Sequence, residues 1–160
     1  MSQQANPNTR DGQATTTKKT FSRETSVSTT IFAGPAIVWA LLTHASDIPR
    51  WNSTVTSIKG EIREGESIEL KSTLDEKRTF KLKVKEFIPE RRLVWGDATG
   101  SRIYTLAKGD GESVLFRMSE KIGGPLFPLF AKSIPAFDES FERFAADLKR
   151  EAETIQRSRT

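Results

Sequence analysis

Residues 79–87, TFKLKVKEF, constrain the fold of this chain more than any other stretch. Phe80, Leu82 and Val84 alternate with Lys81, Lys83 and Lys85. A repeat of two is the repeat of an extended strand, whose successive side chains point to opposite faces. One face here is apolar and the other carries three ammonium groups. Such a strand belongs to an antiparallel sheet that is wet on one side and covered on the other. The rest of the chain must supply more strands of the same kind and something to lie on their apolar face.

The strands are legible on both sides of this one. ETSVSTTIFA is rich in β-branched residues, with Val27, Thr29 and Ile31 alternating against Ser26, Ser28 and Thr30. VTSIKGEI and SIELKSTL are short extended runs, each closed by turn residues (REGE and DEKR). RLVWGDA, SRIYTLAK and SVLFRMSEKI follow, separated by the turns IPER and GDGE, the second with the Asp-Gly signal of a hairpin. The inward face predicted by alternation is Phe80, Leu82, Val84, Leu93, Trp95, Tyr104, Leu106, Val114, Phe116 and Met118. Six or seven strands joined by short turns give an antiparallel meander.

Two helices frame the meander. GPAIVWALLTHA starts on Gly-Pro, a good helix opening, and should end near Ser46 because Pro49 follows; the loop after it carries Trp51. After GGPLFP, the residues Phe137, Phe141, Phe144, Ala145, Leu148, Ala152 and Ile155 hold to one stripe for about five turns. This closing helix, expected to start between Ser133 and Pro135, is the obvious cover for the sheet. The order β, α, six strands, long α makes the chain α+β, one domain over residues 21–156. Residues 1–20 hold one Met, two Ala and no other apolar side chain, so they are expected to be a disordered tail. They lack the apolar segment of a secretory signal, while their Thr and basic content leaves a transit peptide open.

Charge and composition remove several classes of function. The net charge of +4 sits at the two ends, and the body from 21 to 148 is neutral. Basic ends on a neutral body do not make a phosphate-binding face, so no nucleic-acid partner is expected. With no Cys and one His, thiolate chemistry, disulfides and Cys-based metal sites are out; no metal and no cofactor are expected. The lack of Cys suits a reducing compartment, and a cytoplasmic location is the expectation. No apolar run approaches the roughly 20 residues of a membrane span.

The layout and four local stretches resemble the START-like (SRPBCC) superfamily with its helix-grip fold, and within it the polyketide cyclase/dehydrase-type branch. The stretches are FAGPAIVWALLTHASDIPRWN, PERRLVWG, GDGESVLFRMSEKIGGPL and FDESFERFAADLKREAE, and the resemblance spans roughly residues 21–155. None of the four is a catalytic signature. The resemblance implies a curved antiparallel sheet wrapped around the closing helix, an apolar cavity between them, and a small hydrophobic ligand as its cargo. It does not imply an enzyme.

On that basis the cavity wall is expected near the Phe-rich loop and the start of the closing helix, from Trp51, Trp95, Tyr104, Phe116, Phe127, Phe130, Phe137 and Phe141; Phe144 and Leu148 are expected to pack the core. Any of these can equally be solid core, since a packed interior is the default. Tyr104 can orient a ligand carbonyl, with a structural hydrogen bond the simpler expectation. Arg102 shares its face and either binds a carboxylate or phosphate at the cavity mouth or stands in water at the rim. Asp97 is the best candidate for an inward carboxylate, whose pKa an apolar pocket would raise, unless Gly96 bulges the strand and turns it out. His44, near the end of the first helix, has no acid or nucleophile partner in sight. The expected function is therefore binding or carriage of a small hydrophobic ligand of lipid, polyketide or aromatic type. A cyclase- or dehydratase-like enzyme using Asp97, Arg102 and Tyr104 is the alternative. A third reading takes Leu126, Phe127, Leu129 and Phe130 as a contact surface for a protein, a second copy in a homodimer, or a membrane.

Overall fold

The structure is a computed structural model and describes residues 10–160. Eight strands form one sheet in the order β1-β2-β8-β7-β6-β5-β4-β3, and every neighbouring pair is antiparallel. Their ranges are β1 Thr15–Lys18, β2 Ser22–Ile31, β3 Val55–Lys59, β4 Ser67–Ser72, β5 Asp75–Ile88, β6 Arg92–Gly96, β7 Gly100–Lys108 and β8 Val114–Gly123. Four helices accompany them: α1 Pro35–Thr43, α2 Ile48–Trp51, α3 Phe127–Phe130 and α4 Asp138–Ser158. The chain is thus α+β, a curved antiparallel sheet with a long C-terminal helix.

The extra strand is β1. It lies inside the stretch expected to be a tail, of which the first nine residues lie outside those described. TTTK lacks apolar side chains, so hydrophobic patterning could not reveal it; backbone pairing with β2 and polar side chains hold it. The Thr16 hydroxyl donates to Asp138 at 2.6 Å, and the Ala14 amide donates to Glu142 at 3.1 Å, tying the strand to α4. Three other boundaries differ. α4 starts at Asp138 rather than between Ser133 and Pro135, because the chain is extended at Ile134 before it enters the helix. DEKR continues strand β5 rather than turning, because the chain reverses at Thr73 and Leu74. The helix expected to reach Ser46 stops at Thr43, and Trp51 ends a separate short helix, α2.

Alternation is otherwise obeyed. Val84, Leu93, Trp95, Tyr104, Leu106, Val114, Phe116 and Met118 are all buried, while Lys81, Lys83 and Lys85 face solvent. α4 presents Phe141, Phe144, Ala145, Leu148 and Ala152 and lies chiefly along β2, with α1, α2 and β8 also in contact. Beneath it the rings pack against one another. Tyr104 stacks on Phe116 (centroids 6.3 Å) and meets Phe144 at 5.7 Å, and Trp51 meets Phe144 edge-on at 5.8 Å. Buried hydrogen bonds fix the helix in register: Ser53 donates from both its amide and its hydroxyl to Asp147, and the Asn52 side chain donates to the Phe144 carbonyl. Register shifts in β3–β4, β4–β5 and β5–β6 fall in the half of the sheet away from β2. Such bulges bend a sheet and increase its twist. That bent half is the part α4 does not fill.

Candidate functional site

A cavity of about 390 Å³ opens between the bent half of the sheet and the segment leading into α4. Its apolar wall is Leu70, Leu74, Phe80, Leu82, Trp95 and Ile122, and its rim is Phe130, Ser133, Ile134, Pro135 and Phe137. The volume falls in the range of ligand sites, about 300–1,000 Å³.

Each polar group in this space has a distinct setting. Arg102 and Glu120 face each other across the β7–β8 ladder, and Arg102 Nη2 donates to Glu120 Oε2 at 3.0 Å. Their side chains are only 14% and 19% exposed, so this ion pair is largely desolvated. The guanidinium lies over the Phe141 ring at 5.0 Å, and its Nε is buried without a hydrogen-bond partner. Burial alone would lower the Arg102 pKa, but the Glu120 carboxylate reverses the sign and holds it above the ordinary value. Asp97 does reach the lining, though as the cap of a turn. It accepts from the Thr99 amide, the Thr99 hydroxyl and the Gly100 amide. Burial works to raise its pKa, yet these hydrogen bonds and the charge of Arg78 prevail and hold it below the usual value. The expected raised carboxylate is therefore absent at Asp97. Gly96 permits the turn, since a Cβ there would stand 2.2 Å from the Gly100 carbonyl oxygen.

Of the sequence candidates, Trp95, Arg102, Phe130 and Phe137 line the cavity together with Asp97. Trp51, Tyr104, Phe116, Phe127 and Phe141 stand outside the lining, and all five are buried. The first three, with Phe144, are the ring stack that fills the space under α4. Phe141 stacks behind Phe137 at 5.9 Å, and Phe127 packs edge-on against Phe130 at 5.6 Å. The Tyr104 hydroxyl is buried beside the Arg102 guanidinium, its polar neighbour, without a hydrogen bond of good geometry. Burial pushes the phenol up to about 12, against the opposing pull of nearby Arg102. His44 is exposed and borders a separate shallow groove beside α1.

Glu120 and Arg78 are lining residues that the sequence reading missed. Glu120 had a signal, because it continues the inward series Val114, Phe116, Met118 by one more step of two. Arg78 had none, since DEKR reads as a turn; on β5 its guanidinium sits 4.6 Å from the Phe80 ring at the cavity mouth.

No group of metal-ligating side chains forms among the described residues, and no helix among them is long and apolar enough to cross a membrane. Residues 22–153 match the family model described as polyketide cyclase / dehydrase and lipid transport. No curated protein matches the chain. Solved structures share the fold at low identity. A conserved protein of unknown function from Enterococcus faecalis aligns with a TM-score of 0.65 at 17% identity, over 89% of this chain and 78% of its own. A START superfamily protein from Mycobacterium smegmatis gives 0.61 at 13%, over 82% and 98%. DynU16, from the dynemicin biosynthetic locus, gives 0.61 at 18%, over 82% of this chain and 47% of its own. A family match across nearly the whole described sheet and helix, on the helix-grip architecture, makes the chain a member of the polyketide cyclase/dehydrase and lipid transport family.

Proposed function

We propose that this protein binds and carries a small hydrophobic ligand, of lipid, polyketide or aromatic type, in the cavity beside α4. The observation that carries this reading is the contrast within one sheet. Under α4 the face is occupied by stacked rings, whereas about 390 Å³ stays open against Leu70, Leu82, Trp95 and Ile122. Packed interiors rarely leave voids of that size. The desolvated Arg102–Glu120 pair gives the ligand a polar anchor beside the apolar wall. Arg102 is the donor side of that anchor.

The cyclase-like alternative draws less support. Asp97 is held ionised by its turn, and the Tyr104 phenol stands outside the lining, held protonated by burial. Neither is poised to exchange a proton with a ligand near neutral pH. Native mass spectrometry of the protein purified from its own host tests the binding reading. A retained small molecule is expected. A bare chain that also fails to take up a hydrophobic fluorescent probe would sink it.

A further inference from the structure

The segment between β8 and α4 is amphipathic with a period of three. Phe127 is buried, and Phe130 and Ser133 line the cavity. Leu126, Leu129 and Lys132, each one position earlier, face out. Leu126 is 64% exposed and Leu129 83%, and the Leu129 amide donates to the Leu126 carbonyl, so the two stand on one side of the turn. Side chains three apart eclipse in tight helical turns. Phe21 adjoins them: its carbonyl accepts from the Gly124 amide at 3.0 Å, and its ring is 58% exposed.

Exposed cations outnumber exposed carboxylates around these side chains. Lys18, Lys19 and Lys132 are exposed, and no ion pair holds them among the described residues. Three nearby carboxylates are engaged, Glu120 with Arg102, Asp138 with Thr16 and Glu139 with Arg143, which leaves the exposed Glu24 on β2, opposite Lys121, against the three lysines. A stable protein interface buries about 800 Å² on each partner. Three protruding apolar side chains do not supply that. A bilayer asks less, only apolar groups that enter the boundary of the acyl chains and cations that meet anionic headgroups.

We propose that this edge docks on an anionic lipid bilayer, with Leu126, Leu129 and Phe21 inserted and Lys18, Lys19 and Lys132 at the headgroups. Docking there sets the cavity rim at Phe130 and Ile134 against the membrane, so an apolar ligand could pass without crossing water. The proposal goes beyond the ligand reading and stands whether or not the cavity retains a molecule.

Co-sedimentation with phosphatidylcholine vesicles, with and without phosphatidylserine, tests it. The full chain should bind the phosphatidylserine vesicles and release as salt is raised. Leu126→Ser with Leu129→Ser should cut partition at least ~10-fold. Lys18→Gln, Lys19→Gln and Lys132→Gln together should erase the preference for phosphatidylserine, at about five-fold per lysine. All five positions are exposed, so melting temperatures should stay at the wild-type value. The proposal fails if the wild type ignores both vesicles, or if the double leucine variant binds as well as wild type. It also fails if vesicles go unbound while the leucine variant abolishes a dimer seen in sedimentation, which would make the edge a contact between copies.

Discussion

Tyr104 is the only tyrosine in the chain, so its titration can be read without interference from another phenol. Its hydroxyl is buried, and that burial outweighs the nearby Arg102 guanidinium and pushes its pKa up to about 12 from 10.0. The folded state therefore keeps a proton that the unfolded chain gives up. Stability is unaffected below the unfolded pKa and falls as pH rises through the folded one, by on the order of 2–3 kcal/mol. Ultraviolet titration of the native protein should show no phenolate at the usual pH; a midpoint near the value for free tyrosine would contradict this. Tyr104→Phe should remove the alkaline loss and be close to neutral at pH 7, because the hydroxyl it deletes makes no hydrogen bond of good geometry and only its contact with Arg102 is lost. Glu120 carries the opposite expectation. Glu120→Ala leaves Arg102 desolvated without its counter-charge and should cost about 3 kcal/mol in urea unfolding. Glu120→Gln keeps an acceptor oxygen and should cost less.

At the scale of elements, amphipathic pattern tracks what is buried and says little about what is merely paired. The stripe Phe141 to Ala152 on α4 and the alternation in β5, β7 and β8 were legible because burial selects apolar side chains at a fixed period. β1 has no apolar side chain to select and is held by ladder bonds plus Thr16–Asp138 and Ala14–Glu142. Deleting the chain through Lys18 should cost about 1–3 kcal/mol from those two side-chain bonds and the lost pairing. It should also bare the edge of β2, so the shortened protein is expected to self-associate at concentrations where the full chain stays monodisperse in light scattering. The segment from Leu126 to Ser133 shows how a repeat of three escapes notice: it matches neither the period of a strand nor that of an α-helix, so Leu126, Phe127, Leu129 and Phe130 read as one apolar group with no division between faces.

For the molecule as a whole, what matters is which half of the sheet the helix covers. α4 lies along β2 and leaves the bent half of the sheet lining open space. A side chain that fills this space should therefore be tolerated by the fold and fatal to binding. Leu82 lines the cavity from β5 and is not part of the ring stack. Leu82→Trp should reduce uptake of a hydrophobic fluorescent probe at least ~10-fold, while the melting temperature holds or rises through the added apolar burial. A drop in melting temperature with probe uptake intact would mean the probe binds elsewhere.

The sequence by itself determined the elements and the faces they bury, because alternation in TFKLKVKEF and the stripe on α4 are local consequences of backbone geometry. It also carried enough of its family's layout to fix the helix-grip arrangement. Only the tertiary structure decided which apolar residues meet each other and which meet open space. Trp95 and Tyr104 are both inward, aromatic and buried, yet one lines the cavity and the other fills the core beside it, with ring centroids 5.1 Å apart. That difference depends on where α4 rests across the sheet. Its place is set by packing between residues far apart in the chain, such as Trp51 on Phe144 and Ser53 on Asp147, and no local pattern encodes it.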